Sequence, residues 1–436
     1  MNKISICTIV SLNYFSNALT LCESVHKYHD NIDFNILIVD KSINEVCECN
    51  ERYIVYDVQN IGIKNVDKLA FKYNVTEFNT AVKPFFMEYL YEKKGYNSVI
   101  YIDPDMMLFN KIDGLLNLLK ENSMILTPHI CENRYKEGTM SEVDFLKSGI
   151  YNLGFIATKR DDNTFKMLKW WKERLYDQCY KEDSWGLAWD QKWMNFLPAL
   201  FDGVFILRDL GYNMAHWNMH ERYISKVNGE FVINNKYKLV IYHFSQYRIN
   251  EPNYIYKPPN FMVNDSVIVK LTDRPDLKEL YNIYYNTMVK NNYDKFSKLK
   301  YGFNYFDNGI EILKINRRLY GGLEDKLLFY NDPFNTSECN SFYRWSIKHR
   351  YISLNNIKNI KKDLEIKKVN KLSTSKRQIK LVLRLFEIMR RVLGVNKYCN
   401  LLRKVEWAAN ISDHYILYLL NRNTSEKKKK NIRDSI

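Results

Sequence analysis

Ser98-Val99-Ile100-Tyr101-Ile102-Asp103-Pro104-Asp105-Met106-Met107-Leu108-Phe109 is a β-rich apolar run that ends on two carboxylates one residue apart. Pro104 has no N–H to donate, so the strand's hydrogen-bond ladder stops there. Two carboxylates held this close repel each other unless a cation shares them, and hard divalent metals favour such oxygen ligands. A metal in that position grips a diphosphate and offsets the charge that develops as it leaves. Asp-x-Asp also occurs in solvated turns; the buried strand before it and Met-Met-Leu-Phe after it favour the metal site.

Working outward, the first 120 residues alternate strand and helix. Ile4 to Val10 is a continuous apolar run, and Ala18, Leu21, Cys22 and Val25 recur at helical spacing between Asn17 and Tyr28. Phe34 to Val39, ending in Asp40, and Tyr53 to Val58 read as further strands. From Asn79 to Lys94 the apolar positions have helical period; Pro84 fits near the first turn and Gly95 closes the helix. This alternation predicts an α/β fold with a mostly parallel sheet flanked by helices. Ligands bind beyond the carboxyl ends of such strands, which directs attention to Thr8 to Asn13, Asp40, and Asp103 to Asp105.

The chain has 436 residues and a formal net charge of +15, which invites a nucleic-acid or anionic-membrane reading. The charge is not spread evenly. Residues 344–436 hold 24 Lys+Arg against 7 Asp+Glu, whereas 1–343 hold 41 against 43. A nucleic-acid-binding surface is therefore disfavoured over the first four-fifths. The eight cysteines are scattered, and Cys47 and Cys49 are too close for a usual zinc knuckle, so a reduced, cytoplasmic protein is the economical reading. No apolar run reaches the length of a transmembrane helix. The start, Met1 to Leu12, fits a first buried strand better than a signal peptide.

Four further stretches stand in order along the chain. They are Ala81-Val82-Lys83-Pro84-Phe85-Phe86, Tyr151-Asn152-Leu153-Gly154-Phe155-Ile156, Trp189-Asp190-Gln191-Lys192-Trp193-Met194-Asn195 and Tyr242-His243-Phe244-Ser245. Together with Asp103 and Asp105 they resemble the bacterial GT-A (Rossmann-like) glycosyltransferases, closest to the retaining type of glycosyltransferase family 8. The resemblance implies a metal held by Asp103, Asp105 and His243. Two carboxylates and an imidazole suit Mn²⁺ (or Mg²⁺) better than Ca²⁺. It also implies donor binding by Lys83 as a point charge on the phosphates, by Asn152, and by Thr8, Ser11 and Asn13 near the nucleotide base. Asp190 and Gln191 would face the donor sugar as the catalytic pair. The bland alternatives are a solvated lysine at 83, ordinary turn chemistry at 8–13, helix capping by Asp190, and a hydrogen-bonded core histidine at 243.

One departure is clear. The family's closing motif continues with Gly and Lys-Pro-Trp, but Ser245-Gln246-Tyr247-Arg248 follows here. Arg248 or Lys257 would have to replace the diphosphate lysine. A segment from Asp209 to Asn218, with Glu221-Arg222, is expected near the acceptor or donor sugar, with Trp217 equally readable as a core aromatic.

The expected reaction is glycosyl transfer from a nucleotide diphosphate sugar, a UDP-sugar, to a hydroxyl on a saccharide, lipid-linked or protein acceptor, with retention. A sugar-phosphate nucleotidyltransferase is the rival, but Ser11 to Ser16 lacks the Gly-rich loop such enzymes carry. The expected domains are 1–260 (nucleotide-sugar-binding, catalytic), 261–343 (accessory or acceptor region) and 344–436 (basic helical tail). Within the tail, Ile379 to Leu393 has the outline of a basic amphipathic helix, and Tyr415 to Leu420 offers a second apolar cluster. Such segments dock on the inner face of an anionic plasma membrane or pack as a subdomain or oligomer contact. The aromatic block Tyr301 to Phe306 reads either as an acceptor groove or as core.

Overall fold

The apolar runs become strands buried on both faces, because helices cover each side of the sheet they build. The computed structural model describes residues 3–46, 50–133, 140–257, 268–323, 332–349, 351–352 and 376–409. By internal packing the chain divides into two units, Met1–Leu69 with Val75–Phe303, and Ala70–Asn74 with Asn304–Ile436.

The first unit holds a seven-stranded sheet. Its strands are β1 (Ile4–Val10), β2 (Asp33–Ile38), β3 (Ile54–Asp57), β4 (Ser98–Ile102), β6 (Met124–Pro128), β7 (Tyr151–Lys159) and the strand Val204–Ile206. A short β5 (Met106–Leu108) lies outside it. Across the sheet the order is Val204–Ile206, β6, β7, β4, β1, β2, β3. Pairing is parallel from β4 through β1 and β2 to β3, and between β6 and Val204–Ile206. The exception is β7, antiparallel to both neighbours. The expected α/β class with a mostly parallel sheet is the one observed. Because β7 runs backwards, its first residues share an edge with the last residues of β4, with Ile102 opposite Phe155.

The helix Phe15–Tyr28 packs Ala18, Leu21, Cys22 and Val25 into the core beneath β1 and β2. The expected helix from Asn79 to Lys94 is instead two, Val75–Ala81 and Lys83–Lys94. Pro84 explains the break. It is tolerated only in a first turn, so a new helix starts at Lys83. Gly95 closes that helix in the left-handed region (φ 71°), as its position predicted.

The aromatic block is core rather than groove. Tyr301 and Phe303 are buried in the first unit and Phe306 in the second. Gly302 donates its N–H to Asp40 (2.7 Å), and a Cβ there would stand 2.8 Å from that carboxylate oxygen. Asp40 also accepts from the backbone N–H groups of Lys41 and Leu12. It ties chain segments together behind β2.

In the second unit Phe71 is the centre of a ring cluster with Phe306, Tyr320, Phe334 and Phe342, at 4.8–5.6 Å between centroids. Buried Arg317 donates to the carbonyls of Ala70, Phe71 and Tyr73. The described part of the basic tail comprises the end of helix Phe342–Lys348 with the few residues after it, and helices Lys376–Leu393 and Val395–Ala409. Cys47, Cys49, Pro258, Pro259, Tyr415 to Leu420 and Lys427 to Lys430 lie outside the described residues. No disulfide joins the six described cysteines, of which Cys7, Cys22 and Cys179 are buried. Among the described residues, no helix is long and apolar enough to cross a membrane.

Candidate functional site

The end of β4 turns at Pro104 and returns as β5, which pairs antiparallel with the strand Ile241–His243. That pairing sets His243 opposite Met106 and brings its Nε2 to 3.1 Å from Asp105 Oδ1. Asp103 is fixed from below. Its N–H donates to Gly154 O (2.7 Å), and Tyr101 Oη donates to its carboxylate (2.6 Å). One ligand atom from each of Asp103, Asp105 and His243 falls within 4.8 Å of the others.

Gly154 completes this cradle. A Cβ built on it would lie 2.8 Å from Asn152 Oδ1, 2.8 Å from His243 Cε1 and 2.9 Å from Asp103 Oδ2. The residue before β7's apolar stretch therefore has to be glycine for the carboxylate and the imidazole to converge. Two carboxylates and one imidazole make a donor set that could hold a divalent metal ion.

Lys83 is buried beneath the pair. Its Nζ lies 2.8 Å from Asp190 Oδ2 and 3.8 Å from Asp103 Oδ1, and donates to Leu153 O at 2.8 Å. Its side chain is 3% exposed, which removes the solvated-lysine alternative. Asp190 opens the short helix Gln191–Phe196, yet its side chain makes no cap hydrogen bond and pairs with Lys83 instead. Burial disfavours the Lys83 ammonium, but Asp190 and then Asp103 outweigh it and raise its pKa. Burial also opposes charge on His243, and Asp105 more than compensates, so that pKa is raised; His243 in turn lowers that of Asp105 despite burial. When His243 is neutral, three carboxylates face one ammonium here. The surplus negative charge is what a divalent cation would balance.

Gln191 lies next to this pair. Its Oε1 accepts from the Leu153 N–H (3.2 Å) and its Nε2 donates to Ser148 O (3.0 Å). Asn152 Nδ2 approaches Gln191 Oε1 (3.4 Å) and His129 Nε2 (3.3 Å). Its Oδ1 accepts from Asn213 Nδ2 at 3.1 Å. Trp189, just before Asp190, has φ 48°, an uncommon left-handed conformation for a bulky residue.

These side chains line a cleft of about 630 Å³ together with His129, His216, Trp217 and Tyr256. A second cleft of about 310 Å³ shares Asp103 and Asp105 with it and reaches Ser11, Asn13 and Tyr14 after β1. Thr8 is elsewhere. It is fully buried inside β1, pairs with Ile36, and lines neither cleft. Arg248 also stays away from both, half-exposed and paired with Glu251 (3.1 Å), which Lys257 also contacts. Gln246 (φ 63°) occupies the wall position instead.

The Asp209–Asn218 segment supplies support as well as lining. Trp217 is buried, meets the His243 ring edge-on at 5.1 Å, and still lines the cleft, so it is a core aromatic that also forms part of the cleft wall. His216 stacks on Tyr256 at 4.3 Å. Asn218 donates to the carbonyls of His129 and Asn213, while Arg222 and Glu221 form a buried pair behind them. Burial lowers the pKa of His129 to about 4 and that of His216 to about 3, so both rings are neutral. Residue patterns missed His129 and Tyr101. His129 directly follows β6, so strand-end position was its only signal.

No family model matches the chain. Two uncharacterised proteins of Bacillus subtilis strain 168 are similar in sequence. YfnF is 26% identical over 289 residues, 65% of this chain and 90% of its own length. YfnD is 23% identical over 288 residues, 64% of this chain and 89% of its own length. Among solved structures, the chain is similar to the galactosyltransferase LgtC in complex with donor and acceptor sugar analogs (TM-score 0.38, 15% identity, 66% of this chain and 96% of that one). It is also similar to the glycosyltransferase GlyE of Streptococcus pneumoniae TIGR4 (TM-score 0.37, 16% identity, 70% and 67%).

Proposed function

We propose that this protein is a metal-dependent glycosyltransferase that moves the sugar of a nucleotide diphosphate sugar, a UDP-sugar, to a hydroxyl acceptor with retention of configuration. Its setting would be synthesis of a bacterial surface polysaccharide, glycolipid or glycoprotein. The observation that carries this reading is the meeting of Asp103, Asp105 and His243 at the sheet edge, beside the buried Lys83–Asp190 pair and between two clefts that share the aspartates.

Asp103, Asp105 and His243 would hold the ion. When bound, it supplies Lewis-acid stabilisation of a leaving diphosphate. The smaller cleft, with Ser11, Asn13 and Tyr14, suits the nucleoside, and the larger one suits the sugar and its acceptor. Lys83 holds Asp190 in place while Asp190 and Gln191 face the donor sugar. The retention part of the proposal rests on the sequence resemblance to retaining glycosyltransferases. Of the remaining cleft carboxylates, Asp144 accepts from Ser141 through one oxygen and Asp183 pairs with Lys181.

The test is donor hydrolysis and transfer with Mn²⁺ across a panel of UDP-, GDP- and dTDP-sugars, with thermal stabilisation as a binding readout. Asp103→Asn and Asp105→Asn each lower turnover by at least about a hundredfold, and EDTA abolishes it. Full activity in EDTA overturns the metal reading. Anomeric NMR of fresh product reads the stereochemistry, and an inverted product removes the retention claim.

A further inference from the structure

Of the eight described non-glycine residues with positive φ, six are Asn, whose short amide tolerates the left-handed region. The other two are Trp189 (φ 48°) and Gln246 (φ 63°), and both stand on the wall of the larger cleft. For a side chain as bulky as an indole this conformation is a true outlier, held only because its surroundings impose it. They do so here through the backbone. Trp189 follows the short hairpin that pairs Lys181–Glu182 with Leu187–Ala188, and its N–H donates to Tyr180 O (3.1 Å). The chain then turns so that Asp190 is buried on Lys83 while the indole stays partly buried on the cleft wall. Asn would carry the same turn at less cost, as it does at six other positions, so the turn does not account for the ring. Packing does not account for it either. Among the described residues no other aromatic ring meets the indole and its Nε1 donates to none, while Lys181 Nζ, paired with Asp183, lies 5.5 Å from the ring centroid.

We propose that Trp189 is the stacking platform for the pyranose ring of the transferred sugar and so helps to set donor specificity. The inference rests on the glycosyltransferase reading above. The indole offers a flat apolar face to the C–H side of the sugar, and Asp190 and Gln191, the next two residues, offer their polar atoms to its hydroxyls. The lining of the cleft selects this occupant. Around one flat apolar surface it sets the amides of Asn152 and Gln191 and the carboxylates of Asp144 and Asp183, which suits a ring with apolar faces and a rim of hydroxyl groups. A nucleobase also stacks on an indole, and the experiment separates the two.

Full-length protein is assayed with Mn²⁺ for hydrolysis of the UDP-sugar it turns over, for binding of UDP alone by calorimetry, and for saturation transfer to methyl hexopyranosides by NMR. Trp189→Asn relieves the backbone and removes the ring; Trp189→Phe keeps an aromatic face. The Asn variant is expected to melt at or above the temperature of the unaltered protein and to bind UDP unchanged. It should lose at least about tenfold in kcat/KM for the UDP-sugar and lose saturation transfer to the hexopyranoside C–H protons, whereas the Phe variant retains most of both. A lowered melting temperature in the Asn variant assigns the indole to the core and overturns the proposal. An equal loss of UDP affinity assigns it to the nucleobase and does the same, as does hydrolysis that the Asn substitution leaves unchanged. If the unaltered protein hydrolyses no donor, the glycosyltransferase reading fails, and the hexopyranoside NMR decides on Trp189 by itself.

Discussion

Gly154 shows how much one absent methyl group decides. A side chain there would enter the space between Asp103, Asn152 and His243, with heavy atoms under 3 Å away. Those neighbours are held by the sheet edge and by Asn213, so they cannot give way without losing the cradle. On the proposed metal site, Gly154→Ala is therefore expected to keep the fold and to lose most of the thermal stabilisation that added Mn²⁺ should give the unaltered protein. Thermal melts with and without Mn²⁺ check this, and an undiminished metal-dependent shift refutes it.

At the scale of elements, the site depends on a reversed strand. Were β7 parallel, its first residues would lie at the opposite edge from Asp103. Antiparallel, it brings Asn152 and Gly154 to the edge where Asp103, Asp105 and His243 meet, and offers Leu153 O to Lys83. Lys83 thus joins three elements, the helix it opens, β7 and the short helix behind Asp190. Removing its charge leaves Asp190 buried without a counter-ion, and breaking such pairs costs about 3–5 kcal/mol. Lys83→Met, which keeps the volume, should lower unfolding free energy by that order in urea titrations. A loss under about 1 kcal/mol would show that the pair does not hold these elements together.

At the scale of the whole molecule, acidity is a predictable weakness. His129 and His216 are buried and neutral, with pKa values lowered to about 4 and about 3. Unfolded, each would titrate near 6.5. Between those limits the unfolded chain binds more protons than the folded one, so stability falls as pH drops from about 6.5 toward 4. The loss attributable to each ring is about 3 kcal/mol by pH 4. Denaturant midpoints measured across that range check the sign, and the double variant His129→Gln/His216→Gln should flatten the slope. The tail makes a separate prediction. On helix Lys376–Leu393, Leu385, Ile388 and Val392 are exposed beside Arg384, Arg390 and Arg391. Full-length protein should float with vesicles containing anionic lipid, and Arg384→Glu/Arg390→Glu/Arg391→Glu should sink. Equal partitioning of the two rejects membrane docking by this helix.

Much of the fold was legible because burial leaves a local trace. The continuous apolar runs of β1, β2 and β4, the helix from Phe15, the stop at Pro104 and the cap at Gly95 each follow from near neighbours in the chain. Asp103 and Asp105 were legible for the same reason, as charge placed straight after a buried strand. Convergence was not legible. That Lys83 is buried on Asp190, that Trp217 braces His243, that Thr8 and Arg248 stay outside the clefts, and that Tyr301 and Phe303 are core all depend on which distant segments meet. Composition and periodicity determined the layers and the two aspartates, since solvent and the backbone act on each residue where it stands. Only the tertiary structure decided which charges share a site, because a charge is set by its neighbours in space, and β7's reversal and the β5 pairing choose those neighbours.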